Sequence, residues 1–140
     1  MPGWGVKADY EVVRATSWPF IGTNLKAGEI IKGVVGREVD SPDRDPGPGL
    51  QLMLSTKTKV RDHVERVGMT YYTTKSGSGV LDASTDGWVC SITNSCNWTR
   101  IPKESSLQVE EITAQILKEA ARGPLGKLHP AQIDIPVAAR

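Results

Sequence analysis

Glu38 is the acid whose setting points most directly to chemistry. It follows Val34-Val35-Gly36-Arg37, the end of a predicted strand, and precedes Val39-Asp40. Strand ends that run into loops are where α/β domains place functional side chains. The competing reading is an ion pair with Arg37 or another nearby base. The two histidines offer less. His63 lies between Arg61 and Glu65 and reads as a solvated surface residue, and His129, just before Pro130, reads as a structural contact. Cys90 and Cys96 are too far apart for a CxxC motif and lack histidines at zinc-ligand spacing. They are expected to be unpaired thiols, Cys90 buried and Cys96 in a loop. Tyr71 and Tyr72 point to opposite faces of a regular strand, so one belongs to the core.

The familiar catalytic motifs HExxH, GxSxG, GxGxxG and the P-loop are absent from the sequence. Gly77-Ser78-Gly79 is a turn signal rather than a phosphate cradle, because a strand and not a helix N-terminus follows it. Asn97-Trp98-Thr99 matches a glycosylation sequon, which carries little meaning without a secretory signal.

These residues need elements to hold them. The clearest stretch is 69–92: β-branched and aromatic residues to Thr74, a glycine-bearing reversal at 75–79, strand character again at 80–83, a polar loop to Gly87, then the short apolar segment Trp88-Val89-Cys90-Ser91-Ile92. Further strands are predicted at 10–16, 34–40 and 50–56. Residues 41–49, SPDRDPGPG, hold three prolines and two glycines and can only be a connection. Residues 57–68 carry mixed charges with Val60, Val64 and Val67 at helix-like spacing, and read as a single turn or a long loop. The one long helix comes at the C-terminus. Ser105 stands three residues before Gln108 at capping-box spacing, and Val109, Ile112, Ile116 and Ala120 make one apolar stripe. Gly123-Pro124 ends it, and the remainder is an extended tail.

At 140 residues the chain is one domain at most. A hydrophobic fraction of 39% with 24% charged residues is ordinary for a globular chain. A net charge of +1 gives no electrostatic reason to expect nucleic acid or an anionic membrane as partner. No charged-then-apolar leader and no run of about 18 apolar residues is visible, so a cytoplasmic setting is expected. Strands followed by a single helix look like the closing third of a larger sheet domain.

Two runs sharpen that view. FIGTNLKAGEI at 20–30 with GVVGREVD at 33–40, and YYT at 71–73 with GSGVLDAST at 77–85 and Trp88, resemble the large-subunit family of N,N-dimethylformamidase. The helix ending Arg122-Gly123-Pro124-Leu125-Gly126, then His129-Pro130-Ala131, is similar to that family's closing segment. The resemblance spans about residues 18–131 and covers only the C-terminal part of a family member. Leu81 stands where the family usually has Phe, and Ser84 where it usually has Gly.

The resemblance implies an α/β fold related to glutamine-amidotransferase-like and ThuA-like proteins: as a fragment, a mixed sheet with a central antiparallel hairpin and one C-terminal helix. It divides the chain into an irregular N-terminal segment with a short strand (1–17), the dimethylformamidase-like part (18–123) and a tail (124–140). It also implies hydrolysis of small N-substituted formamides, assisted by iron held by two tyrosines and one glutamate. The tyrosine ligands are expected upstream of the matched region, and Glu38 is the one acid here that matches as a metal ligand. The expected partners are the remainder of the catalytic domain or a partner chain, a second copy in a homo-oligomer, and a small amide substrate. The isolated chain is then expected to be inactive. Two alternatives stay open, a non-catalytic module whose sheet edge pairs with a partner chain and a truncated remnant.

Overall fold

The computed structural model describes residues 6–42, 49–97 and 99–135. The expectations for residues 1–5, for 43–48 of the Pro/Gly-rich connection, for Trp98 of the sequon and for 136–140 lie outside the described residues. Five strands, β1 (Val6–Val12), β2 (Ile30–Arg37), β3 (Gln51–Val60), β4 (His63–Thr73) and β5 (Gly79–Asp82), form one sheet in the order β2-β1-β3-β4-β5. Every neighbouring pair is antiparallel. A 3₁₀ turn, Trp18–Phe20, separates β1 from β2, and the helices α1 (Gly87–Thr93), α2 (Lys103–Ala120) and α3 (Leu125–Leu128) follow the strands. The chain is thus a mixed α and β structure with its strands first and its helices after.

The sheet curls on itself. β1 and β3 pair over just two positions, Glu11 with Ser55 and Val12 with Leu54. Irregularities in register at Asp9 and Met53 bend the strands further. The outer edges then meet again where Val39, beyond β2, bridges Thr85, beyond β5. Tyr10, fully buried on β1, reaches across this curl and donates its hydroxyl to the Ala83 carbonyl at 2.7 Å. Alternation along β1 explains its orientation: Tyr10 and Val12 point in, while Lys7, Asp9 and Glu11 stay exposed.

The core joins the inward residues of the sheet to Trp18, Phe20, Trp88 of α1, and Val109 and Ile112 of α2. Val109 and Ile112 are fully buried, each contributing about 1.5–3 kcal/mol by leaving water. That burial, more than propensity, holds α2 against the sheet.

Several expectations are corrected. β1 begins at Val6 and ends at Val12, ahead of the predicted 10–16, because the chain must turn before Pro19. Residues 57–68 are the far half of a tall β3–β4 hairpin, paired from Lys57 with Arg66 to Val60 with His63. Arg61 takes φ +56 in the two-residue reversal, the left-handed conformation that such hairpin turns need. The three valines were spaced for a helix, yet valine and threonine suit a pleated strand better.

The segment at 88–92 is helical, as α1. Its neighbour α2 starts at Lys103 behind Pro102, so Ser105 is a buried first-turn residue and no side-chain capping bond forms. At the other end of α2, Glu119 is buried and Ala120 is exposed, the reverse of the expected stripe. The tail holds α3 and then docks. Leu50 donates to the Ile135 carbonyl at 2.8 Å, and the Leu50 carbonyl accepts from Asp134 and Ile135. The hairpin predicted at 69–83 is present as β4–β5, with Tyr71 opposite Leu81 and Tyr72 opposite Val80, and it stands at one edge of the sheet.

Candidate functional site

Glu38 stands where β2 leaves the sheet. Arg37, the last residue of β2, adopts φ +63, which turns the chain so that Glu38 falls outside the strand. A corner of hydrogen bonds fixes the position of its backbone. Thr85 Oγ1 accepts from Gly36 N–H at 2.9 Å and sits 3.1 Å from the Gly36 carbonyl oxygen. Asp86 N–H donates to the Glu38 carbonyl at 3.4 Å, and Asp40 N–H donates to the Ser84 carbonyl at 3.2 Å. The Glu38 side chain itself is exposed. It makes no hydrogen bond or ion pair to another described residue, so the expected pairing with Arg37 does not form.

Ser84 sits at a position whose backbone would suit glycine. Its φ of +55 lies in the left-handed region that favours glycine. Serine is tolerated because its hydroxyl donates to the Gly68 carbonyl at 2.7 Å, and its own N–H donates to Asp82 Oδ1 at 2.7 Å.

α1 closes the corner. Gly87 presses so tightly on β2 that a Cβ there would lie 1.7 Å from the Val34 carbonyl oxygen. Trp88 enters the core and donates its indole N–H to Thr113 Oγ1 at 3.1 Å. Cys90 and Cys96 are joined in a disulfide with their Cα atoms 5.3 Å apart, which corrects the expectation of two unpaired thiols. Spacing by itself could not reveal the pairing; it needs the left-handed cap at Asn94, φ +49, to turn the chain back after α1.

A second polar cluster lies where the tail meets α2. The His129 ring stacks on Trp18 with centroids 4.8 Å apart, and Trp18 in turn meets Tyr71 edge-on at 5.5 Å. His129 Nε2 is 2.8 Å from Glu119 Oε2, and Arg122 donates to the same oxygen at 2.6 Å. The hydrogen bond with His129 is the main cause holding the Glu119 carboxyl below the usual carboxylate range; burial opposes it and Arg122 adds to the lowering. Tyr71 donates its hydroxyl to the His129 carbonyl at 2.9 Å. His129 therefore makes the structural contact expected of it. The signal for Glu119 was present in its spacing, since residues 112, 116 and 119 lie on one helical face as well as 112, 116 and 120 do.

A cleft of about 280 Å³ opens beside this seam, lined among others by Arg14, Ser17, Gln51 and Gln132. Its polar heads are engaged with one another. Arg14 pairs with Asp134 and donates to Gln132 Oε1 at 2.9 Å, while Gln51 donates to Ser17 Oγ at 3.0 Å. Arg14 Nε and Trp18 Nε1 have no acceptor among the described residues, yet both atoms are shut away from solvent and are not offered to a ligand.

A further cleft, of about 240 Å³, lies between β4–β5 and residues 40–42, with Thr70, Tyr72, Asp40 and Asp82 on its walls. Burial, and then the charges of Asp82 and Asp40, push the Tyr10 hydroxyl far above the ordinary tyrosine range.

These surroundings bear on a metal. Among the described residues no three His, Cys, Asp or Glu side chains are grouped so that they could hold an ion. Tyr10 and Tyr71 spend their hydroxyls as donors to carbonyls, and burial raises the pKa of both, which disfavours the phenolate a metal ligand must present. Tyr10, Tyr71 and Glu38 do not come together as a ligand set, and Glu38 stands apart from both buried tyrosines with its side chain exposed. His63 is exposed at the start of β4, away from any such grouping, as a solvated residue should be.

Fold and corner together define a curled antiparallel sheet with helices behind it, with the exposed carboxylates of Glu38, Asp40 and Asp86 at its rim. A protein-family model described as N,N-dimethylformamidase beta subunit-like, C-terminal, matches residues 1–98, and the chain belongs to that family. The match takes in all five strands and α1 and stops short of α2. No curated protein and no solved structure matches the chain.

Proposed function

We propose that this chain works as the C-terminal part of an N,N-dimethylformamidase-like protein in which small N-substituted formamides are hydrolysed with the help of iron. The family match across the whole sheet carries this reading. Iron, when bound, supplies Lewis-acid chemistry toward an amide oxygen. The contribution of this chain is to hold Glu38 outward on a fixed backbone, as one carboxylate ligand, while the remaining ligands come from the remainder of the catalytic domain or from a partner chain. Alone, the chain is inactive in this reading. The setting that goes with it is the cytoplasm, and among the described residues no helix is long and apolar enough to cross a membrane.

The test uses the purified chain and the same chain co-expressed with the preceding segment of a family member, each supplied with ferrous iron. Metal content is measured together with dimethylamine release from N,N-dimethylformamide. The chain alone should retain no stoichiometric iron and release no amine; the combination should do both, and Glu38→Ala in the combination should lose the metal. An isolated chain that keeps iron and turns over the amide would overturn the proposal, as would a Glu38→Ala combination with full metal content.

A further inference from the structure

We propose that the Cys90–Cys96 bond is a redox-sensitive clamp on the Glu38 corner, opened by a small thiol reductant. The inference stands on the packing of α1 and does not depend on iron.

α1 is seven residues long, GWVCSIT, and most of these are weak helix formers. A helix of that length does not persist without outside support. Its support comes from the Trp88 ring in the core, the close seat of Gly87 on Val34, and the disulfide at its C-terminal end. The exposed side chains Val89 and Ile92 contribute little burial of their own. At its N-terminal end α1 runs without a break into Asp86 and Thr85, the two residues whose hydrogen bonds pin Glu38 and Gly36. Whatever loosens α1 therefore loosens the frame behind Glu38. The tall β3–β4 hairpin is held by its own ladder and by the core, so it stays out of this path.

The two sulfurs are not equally placed. Cys90 is 5% exposed, whereas Cys96 is half-buried and is the more accessible residue of the two. A thiolate of a glutathione-type or dithiol reductant attacks the Cys96 sulfur. The S–S bond breaks, Cys90 leaves as a thiolate and takes up a proton, and Cys96 is held in a mixed disulfide. A second thiol displaces Cys96, which is also protonated, and the reductant departs as its own disulfide, so two electrons and two protons have passed to the protein. In the cytoplasmic setting proposed above, on which this step rests, disulfides are transient and redox-sensing as a rule, and that is the role assigned to this one.

The test is amide hydrogen exchange on the purified chain, oxidised and then reduced with dithiothreitol, alongside Cys96→Ser. Reduction should speed exchange about tenfold or more at Trp88, Cys90 and Asn94, and likewise at Gly36, Asp40 and Asp86, with β3–β4 amides such as Leu54 unchanged. Cys96→Ser should reproduce the reduced pattern, and reoxidation of the native chain should restore protection. Unchanged exchange at Gly36 and Asp40 on reduction overturns the clamp, as does a loosening that spreads equally through β3–β4, or a purified chain whose two thiols stay free under oxidising conditions. The readout needs no metal, so loss of iron binding by Glu38→Ala and failure of the clamp are separate results.

Discussion

The rim around Glu38 and the seam around His129 are both built from polar residues, and they are held in opposite ways. At the rim the backbone is bonded and the Glu38 side chain is left out: Gly36, Glu38 and Asp40 spend main-chain groups on residues 84–86, while Glu38 is exposed. At the seam the side chains themselves are consumed. His129 is stacked on Trp18 and bonded to Glu119, and Tyr71 and Arg122 complete the network. A free polar head on a fixed backbone is available to a ligand. A buried network with its heads engaged gives stability and a unique docking of the tail. The contrast gives closure of the fold to the seam and leaves the proposed binding role to the rim, although the seam holds the histidine and the tighter geometry.

The largest expected effect lies at the seam. Trp18→Ala removes the ring on which His129 and Tyr71 both rest and should cost about 3–5 kcal/mol in urea unfolding. If the loss is small, the seam is not what closes the core. Gly87→Ala comes next. Its Cβ would meet the Val34 carbonyl backbone, so α1 must back away from β2, at about 3 kcal/mol, the upper end for overpacking. Hydrogen exchange should place the damage at Gly36 and Asp40 before the hairpin.

Ser84 separates conformation from bonding within the rim. Ser84→Ala keeps the left-handed backbone and loses the bond to Gly68, and should cost about 1–2 kcal/mol. Ser84→Gly loses the same bond and relieves the backbone, so it should stay within about 0.5 kcal/mol of the native chain.

Acid tests the seam more gently. The Glu119 carboxyl is lowered in the folded state, so its contribution is fully present above the ordinary carboxylate range and fades as pH falls through the depressed value. The urea midpoint of the native chain should therefore drop below about pH 4.5 more steeply than that of Glu119→Gln, and parallel curves would remove Glu119 from the account. Glu38→Ala should change stability least of all, within about 0.5 kcal/mol, since its side chain is exposed and has no hydrogen bond or ion pair among the described residues. A clear destabilisation there would mean that the rim and the seam are the same kind of structure after all.

How much of this was legible beforehand follows from the range of each interaction. The β4–β5 hairpin could be read from a β-rich run, a glycine-bearing reversal and a second run, all within 15 residues of one another. α2 was legible from the spacing of Val109, Ile112 and Ile116, whereas for Glu38 its place at a strand end could be read and its exposure could not. The family could be recognised from local runs of glycine and aromatic residues, and the match to residues 1–98 bears it out. The misses have different causes. Residues 57–60 and 63–66 are the two arms of one local hairpin, Lys57 opposite Arg66 and Val60 opposite His63, so the strand preference of valine and threonine outweighed a helix-like spacing of valines. Glu119 became the buried member of its face because His129, ten residues on, folds back over it.

Amino-acid order alone determined the elements whose period of 2 or 3.6 is written in adjacent side chains, together with the turns that glycine and proline impose. Only the tertiary structure decided that the sheet curls until Val39 meets Thr85, that Cys90 finds Cys96, and that Glu38 is exposed while Glu119 is buried. Those outcomes depend on which groups lie opposite one another after the chain has closed on itself. Local propensity carries no record of distant partners.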